Sequence, residues 1–106
     1  MKLSVFERIN LLSILPKEGD FTTLKIIRQL REDLSFTEEE HKALQFKVLE
    51  DGRITWNAKA AKDKDIKIGK KAESIIREKL EELNKQKKLR DEHFTLYEKF
   101  VGDEAI

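Results

Sequence analysis

The eleven residues Phe46-Lys47-Val48-Leu49-Glu50-Asp51-Gly52-Arg53-Ile54-Thr55-Trp56 constrain this chain more than any other stretch. Asp51-Gly52 is a tight-turn signal between two apolar-rich runs, so the backbone is expected to double back there as a β-hairpin. A two-residue loop would pair Leu49 with Ile54 and Lys47 with Trp56, mixing lysine and tryptophan on one face. A three-residue loop, 50–52 with Gly52 left-handed, pairs Val48 with Ile54 and Phe46 with Trp56. All four apolar residues then share a face, which favours the type I turn with a glycine bulge. Trp56 and Phe46 are read as core on that face, so truncating either to alanine is expected to cost about 3–5 kcal/mol.

Helical signals precede the hairpin. Ser4 and Glu7 have the spacing of a capping box. Val5, Ile9 and Leu12 recur at helical intervals, with Phe6, Leu11, Ile14 and Leu15 widening the stripe. Pro16 disfavours helix at Leu15, so the first helix ends there and Lys17-Glu18-Gly19 turns the chain. A second helix starts at Asp20 or Thr22 and carries Leu24, Ile27, Leu30 and Leu34 on one face. The short link makes the two helices a hairpin. Thr37 caps a short third helix with Glu40 at the capping-box position, three glutamates in its first turn, and Phe36 placed to staple onto it.

After the hairpin, 57–64 is a lysine- and alanine-rich connector. Ile66 and Ile68 alternate with Asp65 and Lys67, which predicts a short strand over 65–68 ending at Gly69. A fourth helix is expected from about Lys70 to Lys87, with Ala72, Ile76, Leu80 and Leu83 as its stripe and Ile75 beside it. Asp91 is expected to cap a last helix bearing Phe94, Leu96, Tyr97, Phe100 and Val101. Gly102 stops it, and 103–106 are expected to fray. The expected fold is α+β in a single domain, 1–106. It comprises an N-terminal helical hairpin, a short third helix, a small antiparallel sheet (hairpin 46–56 plus strand 65–68), and two C-terminal helices.

Charge shapes the functional options. Charged residues make up 41% of the 106 residues, against roughly 25% in an average globular chain, which argues for long solvated helix faces. The net charge of +1 gives no global pull toward nucleic acid or membrane. The chain has no cysteine, which removes disulfides and thiolate metal sites and fits a cytoplasmic setting. No stretch approaches the ~18 apolar residues of a membrane span, and Glu7 and Arg8 interrupt any leader-like run.

No catalytic signature stands out. Ser4, Ser13, Ser35 and Ser74 lie outside any Gly-x-Ser-x-Gly elbow. The four glycines are too dispersed for a phosphate loop. Glu38 and His41 have a Glu-x-x-His spacing, but carboxylate-bridged metal bundles need two such motifs on long facing helices. The expectation is a non-enzyme with no cofactor and no metal.

Two contact surfaces remain as candidates. Lys59, Lys62, Lys64, Lys67, Lys70 and Lys71 form a basic connector that could meet phosphates, although Asp63 and Asp65 dilute it. Helices followed by a hairpin also suggest a winged helix-turn-helix with Arg53 at the wing tip. There the third helix would push Glu38, Glu39 and Glu40 toward phosphates, so nucleic-acid binding is disfavoured. Trp56, Phe94, Tyr97, Phe100 and Val101 are the candidate protein-interface residues. The aromatic residues of the last helix cover more than one face, as in a helix that packs on its own domain and on a second copy.

The segments Val5-Phe6-Glu7-Arg8, Leu15-Pro16-Lys17-Glu18-Gly19, Leu34-Ser35-Phe36-Thr37-Glu38-Glu39-Glu40-His41 and His93-Phe94-Thr95-Leu96-Tyr97-Glu98-Lys99-Phe100 resemble small proteins of tailed bacteriophages and prophages. That group carries no activity or site residues to transfer. The resemblance implies a bacterial cytoplasm and an accessory role, such as binding a host or phage protein. The sequence therefore points to a non-catalytic interaction protein with a protein partner and no membrane association. Nucleic-acid binding through the connector and the wing is the alternative.

Overall fold

Ser4 opens the first helix as its spacing predicts. Its hydroxyl accepts from the Glu7 N–H, and the Glu7 carboxylate accepts from the Ser4 N–H. The computed structural model describes residues 1–102 of the chain. Its elements run β1 (Lys2–Leu3), α1 (Val5–Ile14), α2 (Phe21–Leu34), α3 (Glu38–Leu44), β2 (Lys47–Val48), β3 (Ile54–Thr55), β4 (Lys64–Asp65), α4 (Lys70–Lys85) and α5 (Phe94–Phe100). Single 3-10 turns occupy Ala58–Ala60 and Asp91–His93. This is the expected mostly helical α+β arrangement. The expected fraying of 103–106 lies outside the described residues.

Helix boundaries follow local chemistry. α1 stops at Ile14, ahead of Pro16. Asp20 caps α2 by accepting from the Thr23 N–H at 2.7 Å. Thr37 and Glu40 close a capping box on α3, and the Phe36 ring staples edge-on against His41, 6.1 Å between centroids. α5 ends where Gly102, at φ +90°, turns its N–H back to the Tyr97 carbonyl. Asp91 does not cap that helix. It starts the 3-10 turn, and the cap-like bond there runs from the Arg90 N–H to His93 Nδ1.

The main core is aliphatic. α1 packs on α2, α5 and β1, and α4 packs on α2 and α5. Leu3, Leu11, Leu30, Leu34, Ile76, Leu80, Leu96 and Phe100 are buried between them. α1 is rotated relative to the expected stripe. Val5, Leu11, Ile14 and Leu15 are buried, while Ile9 and Leu12 are half-buried and Phe6 is exposed.

The strands form two separate antiparallel ribbons. β2 pairs with β3, matching Lys47 with Thr55 and Val48 with Ile54. The Gly52 N–H bonds the Leu49 carbonyl, and Gly52 has φ +87°. This is the type I turn with a glycine bulge. β4 pairs instead with β1, Lys2 opposite Asp65 and Leu3 opposite Lys64. The strand expected at 65–68 is thus shorter, begins one residue earlier, and does not extend the hairpin. The alternation still holds, with Ile66 buried and Ile68 half-buried.

Candidate functional site

Arg8 organises the corner where the hairpin meets the helices. Its side chain is 0% exposed. Nε donates to the Leu34 carbonyl at 3.2 Å and Nη2 to the Ser35 carbonyl at 2.7 Å. Nη1 donates to Glu40 Oε2 at 2.6 Å, with Nη2 reaching Oε1 at 3.3 Å. The guanidinium carbon also lies 3.9 Å from the centre of the Phe36 ring. One buried fork therefore fixes α1, the end of α2 and the start of α3. The Arg8 hydrogen bonds hold Glu40 at a pKa of about 2, against an ordinary 4.5. Burial opposes this shift, while the Thr37 N–H and Lys64, 3.7 Å away, reinforce it.

An aromatic cluster is built on this anchor. Phe46 meets Phe36 at 4.9 Å and His41 at 5.5 Å, both edge-on. Trp56 lies 6.3 Å from Phe46 and 6.2 Å from Phe6. The cluster stands apart from the aliphatic core. Phe46 and Trp56 are half-buried, which corrects their expected place in the core. Two strands form one layer, and no second sheet among the described residues covers them. Further along the ribbon the same face is open to water. Val48 is 74% exposed and Ile54 41%, and Leu49 beside them is also exposed.

The other candidate interface residues divide. Phe100 is buried in the core, and Tyr97 and Val101 pack against it. Phe94 alone of the four stands out into solvent.

The connector lysines are not gathered on one unopposed face. Lys59, Lys62 and Lys64 border a cleft together with Glu39, Glu40 and Asp63. Lys64 and Lys67 border another with Glu32 and Asp33. Lys70 and Lys71 lie in the first turn of α4. Arg53, at the hairpin tip, is paired with Asp51 at 2.6 Å. His41 packs against phenyl rings, and no group of three or more His, Asp or Glu that could hold a metal gathers among the described residues. No helix among them is long and apolar enough to cross a membrane.

Comparison with protein-family models, characterised proteins and solved structures finds no match. Geometry and the sequence carry the functional reading. Sequence patterning missed Arg8, although a signal was present: it lies three residues after Val5 and three before Leu11, within an otherwise apolar stripe.

Proposed function

We propose that this chain is a non-catalytic interaction protein that binds a protein partner through the exposed far end of the hairpin's apolar face. The observation that carries this reading is the cross-strand pair Val48 and Ile54, held in water on a ribbon whose root is fixed by the aromatic cluster. Preorganised apolar side chains lose little entropy on binding, which is the property of an interface anchor. Trp56 lies at the base of that face and contributes part of its ring. The likeness of four segments to small phage proteins supports an accessory role in a bacterial cytoplasm. The acidic opening of α3 and the carboxylates among the connector lysines weigh against nucleic acid.

The test is capture from nuclease-treated bacterial lysate, with the wild-type chain and the double variant Val48→Ser/Ile54→Ser compared by mass spectrometry. The expected result is a stoichiometric protein that survives nuclease and is lost with the variant. Capture that is unchanged by the variant, or that disappears on nuclease treatment, rejects the hairpin as the docking face. Sedimentation of the wild-type chain alone decides whether that partner is a second copy.

A further inference from the structure

α2 presents a second surface that shares no residue with the hairpin. The chain has six arginines. Arg8, Arg53, Arg77 and Arg90 each pair with a carboxylate. Arg28 and Arg31, both on α2, have no such partner among the described residues, and neither do Lys17 and Lys25. These four cations border one open cleft along α2, where Glu32 is the single carboxylate among the described residues. The local balance is four positive charges against one negative, in a molecule whose net charge is only +1.

The same cleft carries apolar surface. Phe21, the first residue of α2, is 82% exposed, the highest value among the exposed large hydrophobic side chains described. Leu24 lies one turn further along and is half-buried, and Pro16, Ile26 and Ile27 complete the apolar lining. Phe21 and Leu24 are i, i+3 neighbours, so their side chains form one patch. Lys25 and Arg28 follow Phe21 and Leu24 by four residues, so cations flank that patch.

We infer that this face docks an acidic amphipathic helix of a partner protein. Its apolar side would fill the space between Phe21 and Leu24. Its carboxylates would meet Arg28 and Arg31, whose planar forks match carboxylates in paired hydrogen bonds. Phosphates of a nucleic-acid duplex would satisfy the cations but leave Phe21 and Leu24 in water. The mixture of apolar and basic groups is what a helix docked in a groove requires.

The experiment measures fluorescence anisotropy of a fluorescein-labelled amphipathic helical peptide, leucine on one face and glutamate on the other, titrated with the full chain. Binding is expected to weaken at least tenfold for Arg28→Glu/Arg31→Glu and for Phe21→Ser, and to weaken with added salt. A matching peptide with lysine in place of glutamate is expected to bind the Arg28→Glu/Arg31→Glu variant better than the wild-type chain, which shows that the variant remains folded. Val48→Ser/Ile54→Ser is expected to leave peptide binding unchanged, so failure here and failure of the hairpin reading are separable. The inference is overturned if the glutamate peptide does not bind, or if a glutamine version binds equally well. It is also overturned if duplex DNA or phosphatidylserine vesicles bind this face more tightly than the peptide does.

Discussion

The helical core and the hairpin corner are both rich in large apolar residues, and they meet water differently. In the core, each of α1, α2, α4 and α5 supplies an apolar stripe, and a neighbouring helix covers it. Leu34, Ile76, Leu80 and Leu96 are fully buried as a result. In the corner, the ribbon β2–β3 has one layer. Phe6, Phe36 and His41 cover its root, while Val48 and Ile54 extend past them into solvent. The difference shows that an apolar face creates a core only where a second element exists to cover it. Where none exists, the same pattern leaves a candidate contact surface. Arg8 joins the two regions, rising from a core helix to hold the corner in place.

That junction is where the largest effect is expected. Arg8→Ala leaves the Leu34 and Ser35 carbonyls without their donor and removes the ion-pair partner of the partly exposed Glu40, so about 3–5 kcal/mol of stability is expected to be lost. Urea denaturation gives the value. A loss below about 1 kcal/mol would mean that core and corner are held independently. Leu80→Ala is expected to cost about 2–5 kcal/mol through cavity formation alone, and to leave the fluorescence of Trp56 in the native state unchanged.

A pH titration separates the two contributions. Glu40 has its folded pKa lowered to about 2 from an ordinary 4.5. A lowered carboxylate pKa adds stability that is present above the unfolded value and is lost as pH falls through the folded one. Stability is therefore expected to fall between about pH 4.5 and 2, with a contribution from Glu40 of about 2 kcal/mol after allowing for its partial exposure. Glu7 adds to the same trend. Burial would raise its pKa, but hydrogen bonds from Lys99 at 2.7 Å and from the Ser4 N–H hold it below the ordinary value. Glu40→Gln is expected to flatten most of this slope, and Leu80→Ala to leave it intact. An unchanged slope in Glu40→Gln would assign the acid sensitivity elsewhere.

Local chemistry was legible in the sequence, and tertiary covering was not. Ser4, Thr37, Pro16 and Gly52 each act within a few residues of themselves, so the caps, the first helix end and the hairpin register could be read directly. The stripe of α4 was legible because period 3.6 over 16 residues is a long signal. The pairing of β4 with β1 was not, since two-residue strands carry no periodicity and their partners are more than 60 residues apart. Trp56 shows the same division. Its partner across the ribbon follows from the turn, but its burial depends on whether another layer covers it. The place of Arg8 in the apolar stripe was legible, but its partners were not, because Leu34 and Glu40 lie on other helices and Ser35 just past the end of α2. The cluster at the candidate site was therefore visible as residues but not as a place.

Substitutions on the hairpin are expected to have the smallest effects. Trp56→Ala is expected to cost about 1–2 kcal/mol, less than for a fully buried ring, because the indole is only half-buried. Val48→Ser is expected to change stability by less than about 0.5 kcal/mol, as for a surface position without special contacts. Both values come from the same denaturation series. If Val48→Ser instead proved as costly as Leu80→Ala, the exposed end of the hairpin's apolar face would be covered in solution, and a second copy of the chain would be the simplest cover. In that case the cost would fall with dilution, since a dimer gains its stability from association. A small, concentration-independent cost, together with loss of partner capture, would show that the apolar pair serves binding and contributes almost nothing to folding.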